Sequence, residues 1–214
     1  MTGVMKTYHK AYSRKDVEIV SDDVNYDGFF TVRSLAFRHR RFDGDWSEIV
    51  TRELVERGHA VAVLPYDPVR DEVILIEQLR VGPLGTEQNP WLLEIIAGMV
   101  GKGEEPEQVA LREAEEEAGC SVSLLENVGT FFSSPGGCSE QFSLYVGCVD
   151  SSQRLDIGGL DCEHEDIRVI AVSLAEALSW LENGELDNPP IWMALMWLKA
   201  ERSRLVERWK PCDG

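Results

Sequence analysis

The sequence lacks the features that direct a chain into or across a membrane. No run of about 18 or more apolar residues occurs in its 214 residues, which excludes a hydrophobic transmembrane helix. The N-terminal stretch has neither an apolar core nor a small-residue cleavage site, so no secretory signal peptide is expected. We therefore expect a cytoplasmic protein with no membrane partner.

Cysteine is too sparse, and wrongly spaced, for a disulfide framework or a zinc site. The number of cysteines is odd, and no C-x-x-C pair occurs. Reduced thiols in the cytosol fit this usage better than secretion does. The five cysteines are Cys120, Cys138, Cys148, Cys162 and Cys212.

Positive charge is also scarce. The chain has 21 Lys and Arg residues against 38 Asp and Glu residues, a formal net charge of −17. Nucleic-acid binding normally depends on Lys and Arg neutralising phosphates, so a nucleic-acid partner is not expected. For most of the carboxylates, the simplest role is to keep the protein in solution.

Residues 1–57 form the first of two segments and are predicted to be rich in β-structure. Candidate strands are Val17–Val20, Phe29–Phe37 and Ile49–Val55, and Asp43-Gly44 indicates a hairpin. This segment is too short to bury much apolar surface by itself. We expect it to pack on the rest of the chain or on another subunit.

Residues 58–214 are predicted to form the second segment, with mixed helices and strands. Apolar runs at 60–67 and 72–80 indicate two core strands joined in a hairpin. The stretch 91–100 is predicted to be one strand, and a helix is expected between Pro106 and Gly119. Further strands are predicted at Leu124–Phe132, Gln141–Cys148 and Asp166–Val172, and helices at Ser173–Asn183 and Pro190–Arg208, the latter with Trp192, Met196 and Trp197 in the core.

Several acidic residues share one face of the helix that begins near Pro106. Glu113 and Glu117 are four positions apart, with Glu116 beside them. Like charges at this spacing destabilise an isolated helix, but they suit a hard cation such as Mg²⁺, which prefers oxygen ligands. Arg112 is suited to orient these carboxylates through a two-pronged hydrogen bond. The alternative is an acidic helix face that is merely solvated.

The spacing of a longer motif decides between these two interpretations. Its fixed positions are Gly98, Glu104, Arg112, Glu113, Glu116, Glu117 and Gly119. At ordinary residue frequencies, such a set should match by chance in only about one chain in 10⁵. The set matches the Nudix box, G-x5-E-x7-R-E-U-x-E-E-x-G-U, where U is a bulky aliphatic residue. Ala114 and Cys120 are small apolar residues at the two U positions, which is a mild departure.

The sequence thus resembles the Nudix hydrolase family. The resemblance implies an α+β fold, an α/β/α sandwich with a mixed β-sheet, plus the small β-rich N-terminal segment. It implies hydrolysis of a nucleoside diphosphate linked to a second group, with Mg²⁺ as the cofactor and Mn²⁺ as a substitute. By resemblance, Glu113, Glu116 and Glu117 hold the cations together with the backbone carbonyl of Ala97, and Arg112 and Glu116 belong to the catalytic group.

A Ser-Pro-Gly-Gly segment after the box narrows the choice of substrate. Pro135 lies sixteen residues after Gly119; alone, its Pro-Gly pair predicts only a turn. Together with the runs WLLEIIAGMV and EDIRV, this segment resembles the ADP-ribose pyrophosphatase subfamily. The resemblance covers most of the chain, from Gly28 onward. We therefore predict hydrolysis of ADP-ribose to AMP and ribose 5-phosphate.

Aromatic and arginine residues are further candidates for substrate binding. Arginine suits a pyrophosphate because its planar fork donates two parallel hydrogen bonds, although each arginine alone is also consistent with ordinary surface charge. By resemblance, Phe29 and Phe30 stack on adenine, with strand core as the alternative, and Arg52 and Glu53 contact the terminal ribose or phosphate. The same resemblance places these residues at the substrate: Arg57, Arg80, Met99, Ser134, Pro135, Gly136 and Glu140.

The Glu163-His164-Glu165 segment precedes the last predicted strand. If it is extended, its two glutamates point the same way. By resemblance, Glu163 is the general base that takes a proton from the attacking water, and Glu165 is a further metal ligand. His164 is expected to be exposed to solvent.

A homodimer is the expected assembly, because residues 1–57 are too few to stand alone and would pack across a partner or be exchanged with it. Phe29 and Phe30 would then complete a partner's site, as would Glu140. Within the same enzyme class, GDP-mannose, another nucleotide sugar or NADH remain alternative substrates. A non-catalytic Nudix-fold ligand sensor and an acidic scaffold protein are the alternatives from other classes.

Overall fold

The computed structural model describes residues 8–209, apart from the side chain of Glu163, and therefore leaves Cys212 outside the described part. These residues form two compact units. The smaller unit contains the residues up to Arg57 together with residues 132–140. The larger unit contains residues 58–131 and the residues from 141 onward.

The smaller unit is built on an antiparallel sheet of three strands in the order β1 (Val17–Asp27), β2 (Thr31–His39) and β3 (Val50–Glu56). All three correspond to predicted strands, although β1 is longer than expected. Between β2 and β3 the chain turns at Gly44, whose φ of 97° favours glycine. Phe29 and Phe30 precede β2, and Phe29 is 90% exposed. The strand-core interpretation of this pair is therefore wrong.

The larger unit is built on an eight-stranded mixed sheet. Its main path runs in the order β10-β11-β5-β4-β9-β8, with β6 on β5 and β7 on β4. The strands are β4 (His59–Asp67), β5 (Glu72–Leu79), β6 (Trp91–Glu94), β7 (Ile96–Val100), β8 (Leu124–Phe132), β9 (Gln141–Cys148), β10 (Ile157–Gly158) and β11 (Ile167–Ser173).

Strands β4 and β5 separate soon after their hairpin. They pair only at Tyr66–Val73 and Asp67–Glu72, after which β4 continues on β7 and, in parallel, on β9. Strand β5 continues on β6. The prediction of one strand over 91–100 is therefore wrong: the chain leaves β5 and joins β4, so two strands form, one on each side of Ile95.

Helices cover both faces of the large sheet. Helix α1 (Pro106–Ala118) packs on one face, while α2 (Leu174–Glu182) and α3 (Pro189–Arg208) pack on the other. The alternation of a strand is visible in β4, where Val61 and Val63 face the α1 side and Leu64 faces the α2 and α3 side. The predicted α/β/α sandwich is confirmed.

The predicted core stripe of α3 is wrong in part. The buried stripe is Ile191, Leu195 and Leu198, at the helical spacing of four and three residues. Trp192 and Met196 each lie one position further around the helix and are 49% and 38% exposed. Trp197 is partly buried against the core, as predicted.

The exposed Trp192 lines a surface cavity of about 340 Å³ at the start of α3, together with Leu186, Asp187, Asn188, Pro189 and Met193. This cavity is separate from the acidic face of α1. Among the described residues, no helix is long and apolar enough to cross a membrane.

Candidate active site

Helix α1 is fixed at both ends by the residues that its sequence predicts. Pro106 occupies the first turn, where its missing N–H costs nothing. Gly119 ends the helix in the left-handed region, at φ 63°, and donates its N–H to Glu115. Ala110 and Ala114 are fully buried, which lets the helix lie close to the sheet. The register of the glutamates on α1 is thereby set.

Glu117 is buried, with only 2% of its surface exposed. Its Oε2 accepts a hydrogen bond of 3.2 Å from the N–H of Ala97 on β7. Burial is the largest cause that raises the pKa of Glu117, to about 8; the Ala97 N–H opposes it, and the charges on Glu113 and Glu165 add to it. A carboxylate held in this position is stabilised in its charged form by a cation.

Glu113 lies one turn before Glu117 and packs against Gly98. A Cβ built on Gly98 would collide with the Glu113 carboxylate, so this glycine is needed for close approach rather than for an unusual φ. Met99, the next residue of β7, is 41% exposed. Gly98 of the motif therefore makes room for the side chain of Glu113, another of its fixed positions.

Arg112 joins two of the helix glutamates. Its Nη2 lies 2.9 Å from Oε1 of Glu113, and its Nη1 donates to Oε2 of Glu116 at 2.7 Å. The predicted orienting role matches this arrangement. Because its guanidinium pairs with both carboxylates, Arg112 holds the partly buried side chains of Glu113 and Glu116 in place.

The loop that precedes α1 is closed by Glu104. Oε2 of Glu104 accepts the N–H of Gly101 at 2.7 Å, and the Glu104 N–H donates to the Gly101 carbonyl at 3.1 Å. Gly103 has a φ of 85°, which favours glycine. This fixed glutamate of the motif therefore closes the loop between β7 and α1, and its charge is among those that raise the pKa of Arg112 on the helix.

The segment that bears the other two predicted glutamates lies between β10 and β11. Oε2 of Glu165 accepts the N–H of Leu160 at 3.3 Å. The backbone of Glu163 ends a short 3₁₀ turn, Asp161–Glu163, and His164 follows at φ 58°. The side chain of Glu163, the predicted general base, lies outside the described part of the chain. The segment is a turn, not the extended stretch that would align the two glutamates.

Arg80 has a carboxylate partner that sequence reasoning missed. Its Nε donates to Oε2 of Glu94 on β6 at 2.7 Å, and Nε2 of Gln78 reaches the same oxygen at 3.3 Å. The charge on Arg80 also lowers the pKa of Glu117, so the guanidinium acts within reach of the acidic helix. The available signal was an acidic residue inside the apolar run WLLEII.

Phe30, Arg57 and Glu140 lie together in the smaller unit. The Arg57 guanidinium lies 5.3 Å from the centre of the Phe30 ring, a cation–π distance, and its Nε lies 3.2 Å from Oε1 of Glu140. Glu140 is buried, with 8% of its surface exposed. Phe29 packs edge-on against Phe30, with ring centres 4.9 Å apart. Four of the predicted substrate residues are thus neighbours.

The Ser-Pro-Gly-Gly segment forms a turn beside β3. The Ser134 carbonyl accepts from Gly137 and Cys138, with Pro135 and Gly136 inside the turn, and the Val55 N–H donates to the Gly137 carbonyl at 2.8 Å. Arg52 and Glu53 lie earlier on β3. The Arg52 guanidinium donates a hydrogen bond of 2.8 Å to the carbonyl of the preceding residue, Thr51.

The oxygen-rich surroundings of Glu117 fit a hard divalent cation. Glu113, Glu116 and Glu117 come from one helix, and Glu165 is close enough to raise the pKa of Glu117. Among the residues that the structure describes, no three His, Cys, Asp or Glu side chains stand ready as a metal cluster. Arg112 instead pairs with two of the carboxylates. The buried carboxylate among like charges is the feature that a bound cation would relieve.

Comparison with known proteins gives relatives along nearly the whole chain. The ADP-ribose pyrophosphatase of Escherichia coli (strain K12) is 48% identical over 198 residues, which cover 92% of this chain and 95% of that protein. The GDP-mannose pyrophosphatase of Cronobacter sakazakii (strain ATCC BAA-894) is 32% identical over 187 residues, covering 86% and 95%.

The fold is shared with a solved structure described as an ADP compounds hydrolase. The TM-score is 0.68 at 22% identity, over 94% of this chain and 100% of that one. The family model of the NUDIX domain matches residues 56–194. This match includes every fixed position of the motif, from Gly98 to Gly119. The chain therefore belongs to the Nudix family.

Proposed function

We propose that this protein hydrolyses the pyrophosphate link of ADP-ribose to AMP and ribose 5-phosphate, with Mg²⁺ as its cofactor and Mn²⁺ as a substitute. The buried Glu117, held by the Ala97 N–H among other carboxylates, is the observation that carries the proposal. The choice of substrate is supported by the 48% identical relative, which is named an ADP-ribose pyrophosphatase.

The cations would be held by Glu113, Glu117, Glu165 and the carbonyl of Ala97, with Glu116 at the edge of this group. When bound, such cations neutralise phosphate charge and lower the pKa of the attacking water. Arg112 keeps Glu113 and Glu116 in place through its two ion pairs. Glu163 takes the proton from the water, the role that the family resemblance gives it.

The substrate would be bound by two sets of residues. Phe29 and Phe30 offer aromatic faces for adenine, and Phe29 is exposed enough to accept a ring. Arg80, kept in place by Glu94, offers a guanidinium to the phosphates. The remaining proposed contacts are Arg52, Glu53, Arg57, Met99, Ser134, Pro135, Gly136 and Glu140.

The working form would be a homodimer that pairs through residues 1–57. Strand β1 supports this, because it is an edge strand whose Ile19, Val24 and Tyr26 are 43%, 60% and 60% exposed. Light scattering at the assay concentration tests the assembly. A monomeric mass with full activity would contradict it.

The proposed location is the cytoplasm. The described cysteines, Cys120, Cys138, Cys148 and Cys162, are all free thiols, as expected in a reducing compartment. Fractionation of the source cell followed by immunodetection tests this location, and recovery from an oxidising compartment would argue against it.

GDP-mannose is the second candidate substrate. The 32% identical relative, named a GDP-mannose pyrophosphatase, covers most of this chain. A non-catalytic sensor is less well supported, because Glu104, Glu113, Glu116 and Glu117 are all retained. The higher identity to the ADP-ribose enzyme favours ADP-ribose.

One experiment tests the proposed function. Purified protein is given ADP-ribose, GDP-mannose or NADH, with Mg²⁺ or with EDTA, and the products are identified by mass. We expect AMP and ribose 5-phosphate, the highest kcat/KM for ADP-ribose, and loss of activity in EDTA that Mg²⁺ restores. Preference for another substrate would replace the ADP-ribose assignment. Absence of turnover with all three substrates would contradict the proposal that the protein is a pyrophosphatase.

A further inference from the structure

Residues 155–159 precede the loop that carries Glu165, and backbone hydrogen bonds hold them to the last turn of α1. The Leu155 N–H donates to the carbonyl of Ala118 at 2.9 Å, and the Gly159 N–H donates to the carbonyl of Glu116 at 3.1 Å. Both acceptors belong to the last turn, whose carbonyls have no partner within the helix. The segment therefore caps the turn that carries Glu116 and Glu117.

Gly158 lies between these two hydrogen bonds and faces the helix. A Cβ built on Gly158 would overlap the backbone carbonyl of Glu117. Its φ lies outside the left-handed region, so the position requires the absence of a side chain rather than backbone freedom. The backbone of Glu117 cannot move aside as the end of a flexible side chain can. A side chain at position 158 would therefore push the segment away from α1.

The same glycine closes the base of the loop. Gly158 pairs with Ile167, and Ile157 pairs with Arg168, which joins β10 to β11. Inside the loop, Leu160 and Glu165 exchange two hydrogen bonds, each of 3.3 Å. Because the loop is short and closed by these hydrogen bonds, the position of Gly158 at its base determines the position of Glu165.

We propose that Gly158 is a positioning residue, which fixes Glu165 relative to the Glu116–Glu117 turn by letting the 155–159 segment lie directly on α1. The inference rests on the proposed function, because it takes Glu165 and Glu117 as ligands of one cation site. Residues that orient metal ligands without touching the metal change affinity by about 10- to 100-fold when they are replaced.

The test compares Gly158→Ala with Gly147→Ala. Gly147 is also a strand glycine without a left-handed φ, and its added Cβ would meet a side chain, that of Val122, at 2.9 Å. Mn²⁺ binding is measured by calorimetry without substrate, and thermal unfolding by circular dichroism. We expect Gly158→Ala to weaken Mn²⁺ binding about tenfold or more and to lower kcat more than it changes KM. Gly147→Ala should lose thermal stability alone.

Equal Mn²⁺ affinity and kcat in folded Gly158→Ala and wild type would overturn the proposal. Hydrogen exchange in the wild type keeps it falsifiable if Gly158→Ala does not fold. The amide protons of Leu155 and Gly159 should be protected like those of β11, and exchange at the rate of an unstructured chain would overturn the proposal. Failure of the proposed function would instead show in the wild type, as no Mn²⁺ uptake and no cleavage of ADP-ribose.

Discussion

Arg80, the residue after β5, forms an ion pair with Glu94 on β6, with Nε of Arg80 2.7 Å from Oε2 of Glu94. Gln78 reaches the same oxygen and is 7% exposed. Because a long arginine side chain has many rotamers, a fixed carboxylate at its Nε restricts where its remaining N–H groups can meet a phosphate. The pair thus links an unforeseen glutamate to a predicted substrate residue.

A double-mutant cycle tests this link. We expect Arg80→Ala and Glu94→Ala each to raise KM for ADP-ribose about tenfold, in line with losing a charge-assisted hydrogen bond. The double variant should be no worse than Arg80→Ala, because the two residues act as one unit. Glu77→Ala is the control, because Glu77 on β5 makes a more exposed ion pair with Arg168 on the neighbouring strand β11. Additive losses in the cycle would separate Glu94 from Arg80.

Glu117→Gln should abolish most activity and yet stabilise the metal-free protein at high pH. The folded pKa of Glu117 is about 8, above its ordinary value of 4.5. Its contribution to stability is therefore complete below pH 4.5 and is lost as the pH rises through 8. We expect kcat to fall on the order of 10²-fold or more.

Urea unfolding in EDTA at several pH values measures this effect. The stability of the wild type should drop relative to Glu117→Gln as the pH is raised, and Mg²⁺ should reverse the drop for the wild type only. A constant difference between the two proteins at every pH would contradict the raised pKa of Glu117.

Glu163→Gln and Glu165→Gln should fail in different ways. If Glu163 is the general base, its substitution lowers kcat on the order of 10²-fold or more and leaves Mn²⁺ affinity unchanged. If Glu165 is a ligand, its substitution weakens Mn²⁺ binding as well. Calorimetry with Mn²⁺ and the pH dependence of kcat distinguish the two roles, and near-wild-type turnover by Glu163→Gln would remove that residue from the mechanism.

Phe30→Ala should raise KM for ADP-ribose about tenfold with little change in kcat. Stacking of a base on an aromatic ring contributes roughly 1–3 kcal/mol, and tenfold corresponds to about 1.4 kcal/mol. Phe42→Ala is the control, since Phe42 is 90% exposed and belongs to the same unit. Equal KM values in steady-state assays of Phe30→Ala and Phe42→Ala would contradict a role in adenine binding.

Asp67→Asn should destabilise the fold by roughly 2 kcal/mol at neutral pH. Burial raises the pKa of Asp67, but hydrogen bonds from Arg70, Ser151 and Val69 outweigh it and lower the pKa from 3.8 to about 2. The stabilisation is present above pH 3.8 and is lost as the pH falls through 2. Chemical denaturation at pH 7 and pH 3 measures it.

The exposed Asp156, whose side chain is 92% accessible, provides the matched control for that measurement. Asp156→Asn should change stability by less than about 0.5 kcal/mol at either pH. A similar loss in both variants would show that the hydrogen bonds to Asp67 contribute nothing special.

The sequence predicted the ends of helices correctly where residues close by in the chain determine them. The ends of α1 were predicted because Pro106 and Gly119 act through their own backbones. The start of α2 at Ser173 was also predicted, and there the Ser173 hydroxyl accepts the Glu176 N–H, three residues along the chain. The break at Ile95 was not predicted, because it depends on where β4 and β5 separate, and that separation involves partners far away in the chain.

In the candidate site too, contacts within one helix were predictable from the sequence, whereas contacts between distant segments were not. The spacing of Arg112, Glu113 and Glu116 on one helix placed these side chains together, and the ion pairs confirm that they meet. The spacing gave no indication that Glu117 is buried or that Glu94 holds Arg80. Burial depends on what the sheet places opposite a side chain, as the Ala97 N–H shows.

The sequence by itself determined the family, the acidic helix and its caps, because a helix turn brings residues three and four apart together whatever surrounds them. The tertiary structure decided which glutamate lost its water, which carboxylate holds Arg80, and which face of α3 was left exposed at Trp192. Those outcomes depend on desolvation and on pairing between distant segments, and neither is set until the chain has folded.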